Sequence, residues 1–244
     1  MRPRHVDAKT TDRSGEVSAP VQGLLLVDKP AGMTSHDVVQ HVRRIYGERS
    51  IGHLGTLDPF ATGLLVLLIG RATRLATFID TEPKVYNAVI KFGSETDTDD
   101  ATGTVTRTAA APLEGNVRAA LKSLTGAISQ VPPAYSAKSI DGTRAYDAAR
   151  RGQPLELPAV NVTVHGWELH SLTNDSLSAT ITCSGGTYVR ALARDLGRIA
   201  GSSAHLESLR RTRVGSFDVR DAATLNTLAD NPARLRALRV VPDA

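Results

Sequence analysis

The sequence runs Gly52-His53-Leu54-Gly55-Thr56-Leu57-Asp58-Pro59-Phe60-Ala61-Thr62-Gly63 through its most unusual stretch, which holds three glycines, one proline, one carboxylate and one imidazole. This composition predicts a loop, because glycine and proline interrupt both helices and strands. An unbroken apolar run, residues 64–69, follows at once and predicts a buried strand. A loop anchored to a core strand places its side chains accurately at a surface cleft. Asp58 is therefore predicted to be held in place rather than free in water.

Two interpretations of Asp58-Pro59 compete. An Asp before a Pro commonly begins a turn, and that is the ordinary interpretation of the pair taken alone. His53 lies in the same loop, and Gly52 and Gly55 allow the backbone to come close to a ligand. These features favour a binding or catalytic loop, although they do not name a reaction.

Composition narrows the class of protein. A chain of 244 residues holds one large domain or two small ones, and its net charge of +4 modestly favours a polyanionic partner. The single cysteine, Cys183, excludes an intramolecular disulfide and fits a reducing compartment, so we expect a cytoplasmic location. No apolar run reaches the ~20 residues that span a bilayer, and no secretory signal is evident, so no membrane association is expected.

Hydrophobic periodicity gives a mixed pattern of strands and helices. Residues 1–20 are polar and predict a disordered tail. Strands are predicted at 23–27, 84–93, 159–172 and 177–183. One helix is predicted to begin after a cap at Thr34 or Ser35, and others at 71–80, 116–125 and 188–197. The helix at 71–80 is expected to turn Leu75, Ala76 and Ile79 inward, and the helix at 188–197 to have Thr187 as its N-cap. A hairpin turn is expected at Asn174-Asp175 and a tight turn at Asp141-Gly142.

The loop at 52–59, with Ala61-Thr62-Gly63 after it, closely resembles the catalytic motif of the tRNA pseudouridine-55 synthases, the TruB family. Further resemblances follow in the family's order at residues 25–35, 96–100, 186–190 and 204–215, so that the resemblance covers about residues 23–228. It implies an α+β fold with a mixed, mostly antiparallel sheet flanked by helices and a central RNA-binding cleft. The implied domains are a catalytic domain at 21–230, with an RNA-clamping insertion at about 130–158, and a short C-terminal extension at 231–244 without an additional RNA-binding domain.

The resemblance also implies roles for individual residues. Asp58 is the expected nucleophile, and Arg190 the arginine that pairs with it. Tyr86 is expected to stack on the target base and to act as a general base in one route. The remaining expected substrate-site residues are His53 as a wedge in the base stack, Leu209 in the base pocket, Tyr188 in the first turn of a helix, and Lys29 as support for the catalytic loop.

Ordinary structural interpretations stand beside these roles. Tyr86 alternates with apolar residues as a core tyrosine does, Arg190 fits an exposed position on an amphipathic helix, and Lys29 fits a solvated lysine after a strand. The acidic run 95–100 lacks the spacing of a calcium loop and is interpreted as a solvated turn. Arg210, Arg211 and Arg213 are interpreted as a basic strip. The basic residues of the insertion, Lys138, Arg144, Arg150 and Arg151, are candidate phosphate contacts.

Position 185 departs from the family pattern. Family members often have a lysine just before the motif at residues 186–190, and this chain has Gly185 there. One possible phosphate contact is thus missing.

The predicted reaction is conversion of uridine to pseudouridine at position 55 in the T-loop of tRNA, on a uridine flipped out of its stack. Burial alone favours the neutral form of a carboxylate, and a guanidinium nearby favours the charged form, which is the physical reason to expect Arg190 beside Asp58.

No cofactor and no metal are expected, and the expected partner is the T-arm of tRNA, bound by a monomer. The alternatives are a pseudouridine synthase for another RNA site, a tRNA-binding chaperone, and a glycoside hydrolase, which needs two carboxylates about 5 or 6.5–9.5 Å apart. Whether Asp58 attacks C6 of the base or C1′ of the sugar is left open by the residues.

Overall fold

The computed structural model describes residues 21–136, 138–140 and 142–230. The strands are β1 (Gly23–Lys29), β2 (Ile51–His53), β3 (Thr62–Ile69), β4 (Lys84–Phe92), β5 (Ser94–Thr96), β6 (Val105–Thr108), β7 (Gly126–Gln130), β8 (Ser139–Ile140), β9 (Thr143–Arg144), β10 (Val160–Leu172), β11 (Ser176–Cys183), β12 (Ala204–Val214) and β13 (Phe217–Asp218). The α-helices are α1 (Ser35–Tyr46), α2 (Glu114–Ser123), α3 (Ala145–Arg150), α4 (Val189–Ile199) and α5 (Leu225–Asp230), and 3₁₀ helices span Gly70–Phe78 and Val219–Asp221. No helix in this described part is long and apolar enough to cross a membrane.

One mixed sheet organises the fold. Its strands lie in the order β1-β3-β12-β4-β11-β10-β7, with β2 added to β3 and β13 added to β12. Among these described strands, the β3–β12 pair is parallel and the other pairs are antiparallel. The predicted α+β fold with a mixed, mostly antiparallel sheet flanked by helices is confirmed.

Local sequence explains the elements that border the site. α1 begins with a capping box, in which the Thr34 hydroxyl accepts the Asp37 N–H and the Asp37 carboxylate accepts the Thr34 N–H. β3 is buried along nearly its whole length because it lies between β1 and β12 with helices on both sides. β4 alternates buried and more exposed side chains, and Tyr86, Ala88 and Ile90 share its buried face as predicted.

Two predicted helices differ in detail. The segment predicted as a helix at 71–80 is a 3₁₀ helix, in which Ala72 is buried and Ala76 is exposed, because three residues per turn change the inward face. The last long helix begins at Val189, so its N-cap is Tyr188 and the predicted cap by Thr187 is wrong. The buried Gln130 side chain fixes the backbone of this N-cap residue: its Oε1 accepts the Tyr188 N–H at 2.9 Å and its Nε2 donates to the Tyr188 carbonyl at 3.1 Å.

Three predictions fall outside the described residues. They are the disordered tail at 1–20, the short extension at 231–244, and Asp141 of the predicted turn. The hairpin at Asn174-Asp175 is observed between β10 and β11.

Candidate active site

The glycine-rich loop is the short link from β2 to β3, and it enters the sheet where β3 pairs with β12. Residues 54–61 form the loop proper, since Ile51–His53 pair with the far end of β3. Gly63 has a φ of +104°, and a Cβ there would collide with the backbone carbonyl of Arg211 on the neighbouring strand β12. Only glycine therefore allows β3 and β12 to approach where the loop enters the sheet.

Buried side chains from three different elements hold the loop from below. The Lys29 ammonium, which is fully buried, donates to the carbonyls of Pro30, Met33 and, at 3.2 Å, Pro59. Arg211, also buried, donates to the carbonyls of Gly55 and Thr56, and the Ser35 hydroxyl bonds both the N–H and the carbonyl of Leu57. Lys29 thus contacts the catalytic loop rather than the open surface.

Asp58 and Arg190 form a forked ion pair although 132 residues separate them. Arg190 Nε donates to one carboxylate oxygen of Asp58 and Nη2 to the other, each at 2.9 Å. The Arg190 side chain is 6% exposed and that of Asp58 is 34% exposed. The carboxylate is therefore fixed from one side and accessible from the other, which is less enclosed than the sequence suggested. The exposed interpretation of Arg190 is wrong.

The acidic run after β5 packs against the same helix. Arg190 Nη1 donates to the Thr98 carbonyl at 2.9 Å and lies 3.6 Å from the Asp100 carboxylate. Asp99 pairs with Arg194 at 2.8 Å, and Glu95 pairs with Arg198 at 2.6 Å. The prediction of a solvated turn is therefore wrong, because the arginines of α4 draw three of its acids into the protein.

Tyr86 and Leu209 meet in the apolar cluster beneath the loop. Both are 7% exposed and share that cluster with the loop residues Leu57 and Ala61. Burial raises the pKa of the Tyr86 hydroxyl above its ordinary value of 10, and the charge of Arg211 offsets only part of that shift. The hydroxyl is therefore protonated at neutral pH.

His53 and Tyr188 flank the loop on two sides. His53 ends β2 and is half-buried, and its Nδ1 has no hydrogen-bond partner among the described residues. Burial, together with the positive charge of Arg211, lowers the pKa of His53 below its ordinary value of 6.5, so the ring is neutral at pH 7. Tyr188 precedes α4 and is also half-buried, which raises the pKa of its hydroxyl.

Lys84 occupies the space beside Gly185. Its ammonium lies 3.1 Å from the point where a Cβ at position 185 would stand and 3.6 Å from the equivalent point at Gly55. Glu82 accepts the Gly185 N–H with both carboxylate oxygens at 2.6 Å, and a Cβ at 185 would collide with that carboxylate. A cation is therefore present between the two motifs, supplied by β4 instead of by residue 185.

The predicted RNA-clamping insertion places its basic side chains on the surface. Lys138, Arg144, Arg150 and Arg151 are exposed. The Arg150 guanidinium lies 4.6 Å over the Tyr146 ring, which meets the Tyr135 ring edge-on at 5.9 Å. The Tyr135 carbonyl accepts a hydrogen bond from Arg190 Nη2 at 2.9 Å, so this insertion contacts the Asp58–Arg190 pair directly.

Sequence reasoning did not identify Arg211, Gln130 or the Arg194–Asp99 pair as parts of the site. Arg211 was grouped in a basic strip, yet it is 1% exposed. Strand alternation carried the signal, because residues 209 and 211 share a face of β12 and Leu209 was already assigned inward. The spacing of Arg190, Arg194 and Arg198 at i, i+4 and i+8 was a comparable signal for one face of α4.

Comparison with known proteins agrees with this geometry. The family model for TruB family pseudouridylate synthase, N-terminal domain, matches residues 43–189, and the model for the tRNA pseudouridylate synthase B C-terminal domain matches residues 190–239. The tRNA pseudouridine synthase B of Arthrobacter sp. (strain FB24) is 49% identical over 218 residues, which are 86% of this chain and 71% of the relative. That of Thermobifida fusca (strain YX) is 50% identical over 217 residues, which are 85% of this chain and 74% of the relative.

Solved structures give the same result for the fold. A chain of a Cbf5-Nop10-Gar1 complex superposes with a TM-score of 0.65 at 27% identity, over 85% of this chain and 54% of that one. A chain of an H/ACA RNP bound to a substrate RNA containing 2′-deoxyuridine gives 0.63 at 26% identity, over 85% and 52%. This chain spans about half the length of those two. From the family-model matches and the close relatives, we conclude that the chain belongs to the TruB family of pseudouridylate synthases.

Proposed function

We propose that this protein converts uridine 55 in the T-loop of tRNA to pseudouridine, with Asp58 as the nucleophile. The forked pair of Asp58 with Arg190 is the observation that carries the proposal. It holds an accessible carboxylate in a fixed direction beside a guanidinium, which suits a nucleophile in a partly dry site. The names of the relatives support tRNA as the substrate.

The reaction exchanges one glycosidic bond for another. The N1–C1′ bond of the uridine breaks, the uracil turns, a C5–C1′ bond forms, and C5 loses its proton while N1 gains one. Asp58 holds one fragment during the turn, by attack either on C6 of the base or on C1′ of the ribose. No electrons are gained or lost, so the residues need supply only a nucleophile, proton transfer and position.

The surrounding residues position the base. The neutral ring of His53 fits the gap that the flipped uridine leaves in the stack, and the buried ring of Tyr86 offers a face for the base beside Leu209. The raised pKa of Tyr86 disfavours a phenolate, so we assign it the stacking role ahead of the general-base role. Tyr188 borders the site at the start of α4. Lys84 supplies the phosphate contact that a lysine at position 185 would make.

The test is Asp58→Asn, with Asp175→Asn as the matched control. Asp175 is an exposed aspartate in the turn between β10 and β11, where it pairs with Lys91 at 2.7 Å. Tritium release from tRNA labelled at C5 of uridine should vanish in Asp58→Asn, while filter binding to the same tRNA changes by less than about threefold; the control should match wild type. Normal turnover in Asp58→Asn would reject the nucleophile assignment.

The same experiment separates the alternatives. A tRNA-binding chaperone would support tRNA folding equally well as Asp58→Asn and would release no tritium even as wild type. A synthase for another RNA site would release tritium from a tRNA whose position 55 is cytidine. A glycoside hydrolase would release free uracil. The monomeric state and the cytoplasmic location remain predictions.

A further inference from the structure

Helix α4 presents Arg190, Arg194 and Arg198 one turn apart, and the proposed chemistry uses only the first. Arg194 is 9% exposed, and an arginine is seldom buried to this extent unless its charge is paired. Its guanidinium makes three contacts: Nη1 to the Asp99 carboxylate at 2.8 Å, Nε to Asp195 at 2.9 Å, and Nη2 to the Val131 carbonyl at 2.9 Å.

Two of these arginines hold opposite ends of one short segment. Residues 131–135, here called the entry segment, lead from β7 into the insertion. Arg194 binds the carbonyl at Val131 and Arg190 binds the carbonyl at Tyr135. Between them lie Pro132 and Pro133, both buried, whose rings fix φ and stiffen the backbone. A shift of the segment at one end is therefore transmitted to the other.

The Tyr135 end reaches the catalytic carboxylate directly. Arg190 Nη2 donates to the Tyr135 carbonyl and to an Asp58 oxygen, each at 2.9 Å. Because one nitrogen serves both acceptors, movement of the Tyr135 carbonyl alters the direction of the fork on Asp58.

The same arginines also hold the acidic turn on the other side of the helix. Thr98 and Asp100 face Arg190, and Asp99 between them pairs with Arg194. Asp99 has a φ of +59°, in the left-handed region that aspartate and asparagine enter more readily than other non-glycine residues. The Arg194 ion pair is the contact that fixes its carboxylate.

We propose that Arg194, with Asp99, is a positioning residue that couples the insertion to the catalytic pair. It locks the entry segment and the acidic turn onto α4, and these two elements together fix the Arg190 fork on Asp58. A displacement of the entry segment is thereby transmitted to the Arg190 fork and so to Asp58. This inference rests on the proposed function for its catalytic consequence, while the locking of the entry segment does not depend on it.

The test uses two variants that keep the site balanced in charge. Arg194→Lys keeps the cation beside Asp99 but cannot reach Val131 at the same time. The double variant Arg194→Met with Asp99→Asn removes both charges together, and asparagine tolerates the left-handed backbone. The matched control is Arg198→Gln, which removes an arginine of the same helix paired with the same acidic run but has no contact with the entry segment.

The first readout is the rate of a single turnover at saturating enzyme. Both Arg194 variants should react about 10- to 100-fold more slowly, as small displacements of reacting groups do, with tRNA affinity within about threefold of wild type. Arg198→Gln should match wild type. Wild-type rates in both folded variants would overturn the proposal, and so would weakened affinity with an unchanged rate, since Arg194 would then act only in RNA binding.

The second readout needs no activity. Limited trypsin digestion without RNA should cut the insertion after the exposed Arg150 or Arg151 about tenfold faster in the Arg194 variants than in wild type or Arg198→Gln, because local opening exposes those bonds. Equal cleavage in all four proteins would refute the lock. An inactive wild-type protein that shows the cleavage difference would instead reject the proposed function and leave the lock standing.

Discussion

Replacing Arg190 by lysine is expected to slow pseudouridine formation by about 10- to 100-fold although the charge at the site is unchanged. Arginine binds Asp58 through two nitrogens while also donating to the carbonyls of Thr98 and Tyr135. Lysine has one nitrogen at the end of a flexible chain, so it contacts at most one oxygen of Asp58 in a fixed direction.

The magnitude follows from the contacts that are lost. A hydrogen bond to a charged group contributes about 1.5–3 kcal/mol, and the loss of one from the transition state slows the reaction by about 10- to 150-fold. Asp58 is 34% exposed, so solvent screens part of the interaction and the lower part of that range applies. The orphaned carbonyls should also lower the free energy of unfolding by about 1–3 kcal/mol.

The assay is tritium release in a single turnover with enzyme in excess, beside urea unfolding of the same protein. Arg118→Lys is the control, because Arg118 forms an exposed i,i+4 pair with Glu114 on α2 and should change neither quantity by more than about 0.5 kcal/mol. A rate within about threefold of wild type for folded Arg190→Lys would show that the fork is not needed and that charge alone suffices.

Three further outcomes are expected. Burial lowers the pKa of Lys29 from 10.5 to about 8 in the folded protein. Between pH 8 and 10.5 the unfolded chain therefore binds one proton more than the folded protein, and the free energy of unfolding should rise with pH by up to about 3 kcal/mol. Urea unfolding at pH 7.5 and 10 should show this rise in wild type and a smaller rise in Lys29→Met. Gly63→Ala should destabilise the protein by about 3 kcal/mol or more by thermal melting, because its Cβ meets the Arg211 backbone, and a melting curve like wild type would contradict this close approach. Lys84→Gln should lower by about one the slope of log affinity for tRNA against log salt concentration, and adding Gly185→Lys to this variant should not restore the slope. An unchanged slope in Lys84→Gln would show that Lys84 makes no phosphate contact.

Local pattern predicted individual strands and helices, whereas the sheet architecture was predicted from the family resemblance. The alternation along β4 and the apolar run of β3 depend on neighbours within a few residues, and both were predicted correctly. The start of α1 was narrowed to Thr34 or Ser35, and the structure has Thr34 as the N-cap. The 3₁₀ segment after β3 and the cap at Tyr188 were missed, because the first depends on hydrogen-bond spacing and the second on the distant Gln130.

The site itself depends on contacts that no local pattern contains. Arg190 looks like any exposed helical arginine until Asp58 is placed beside it, and only the family resemblance supplied that pairing. The acidic run failed for the same reason: its partners lie about a hundred residues later, as with the separation of 95 between Asp99 and Arg194. Charged side chains that neighbouring residues alone predict to be exposed to solvent form ion pairs in the folded protein.

The loop that carries Asp58 is preorganised by the sheet rather than by substrate. Gly63 lets β12 approach β3 in parallel register, and the next consequence is that Arg211, opposite Gly63, lies under the loop. From there its guanidinium reaches the carbonyls of Gly55 and Thr56, while Lys29 reaches that of Pro59 from β1. Buried cations that bind loop carbonyls remove backbone freedom before RNA arrives, so binding energy need not be used to order the loop around Asp58. The other partner of the fork, Arg190, is positioned by the insertion as well as by the acidic turn, because its Nη2 also donates to the Tyr135 carbonyl and its Nη1 to the Thr98 carbonyl.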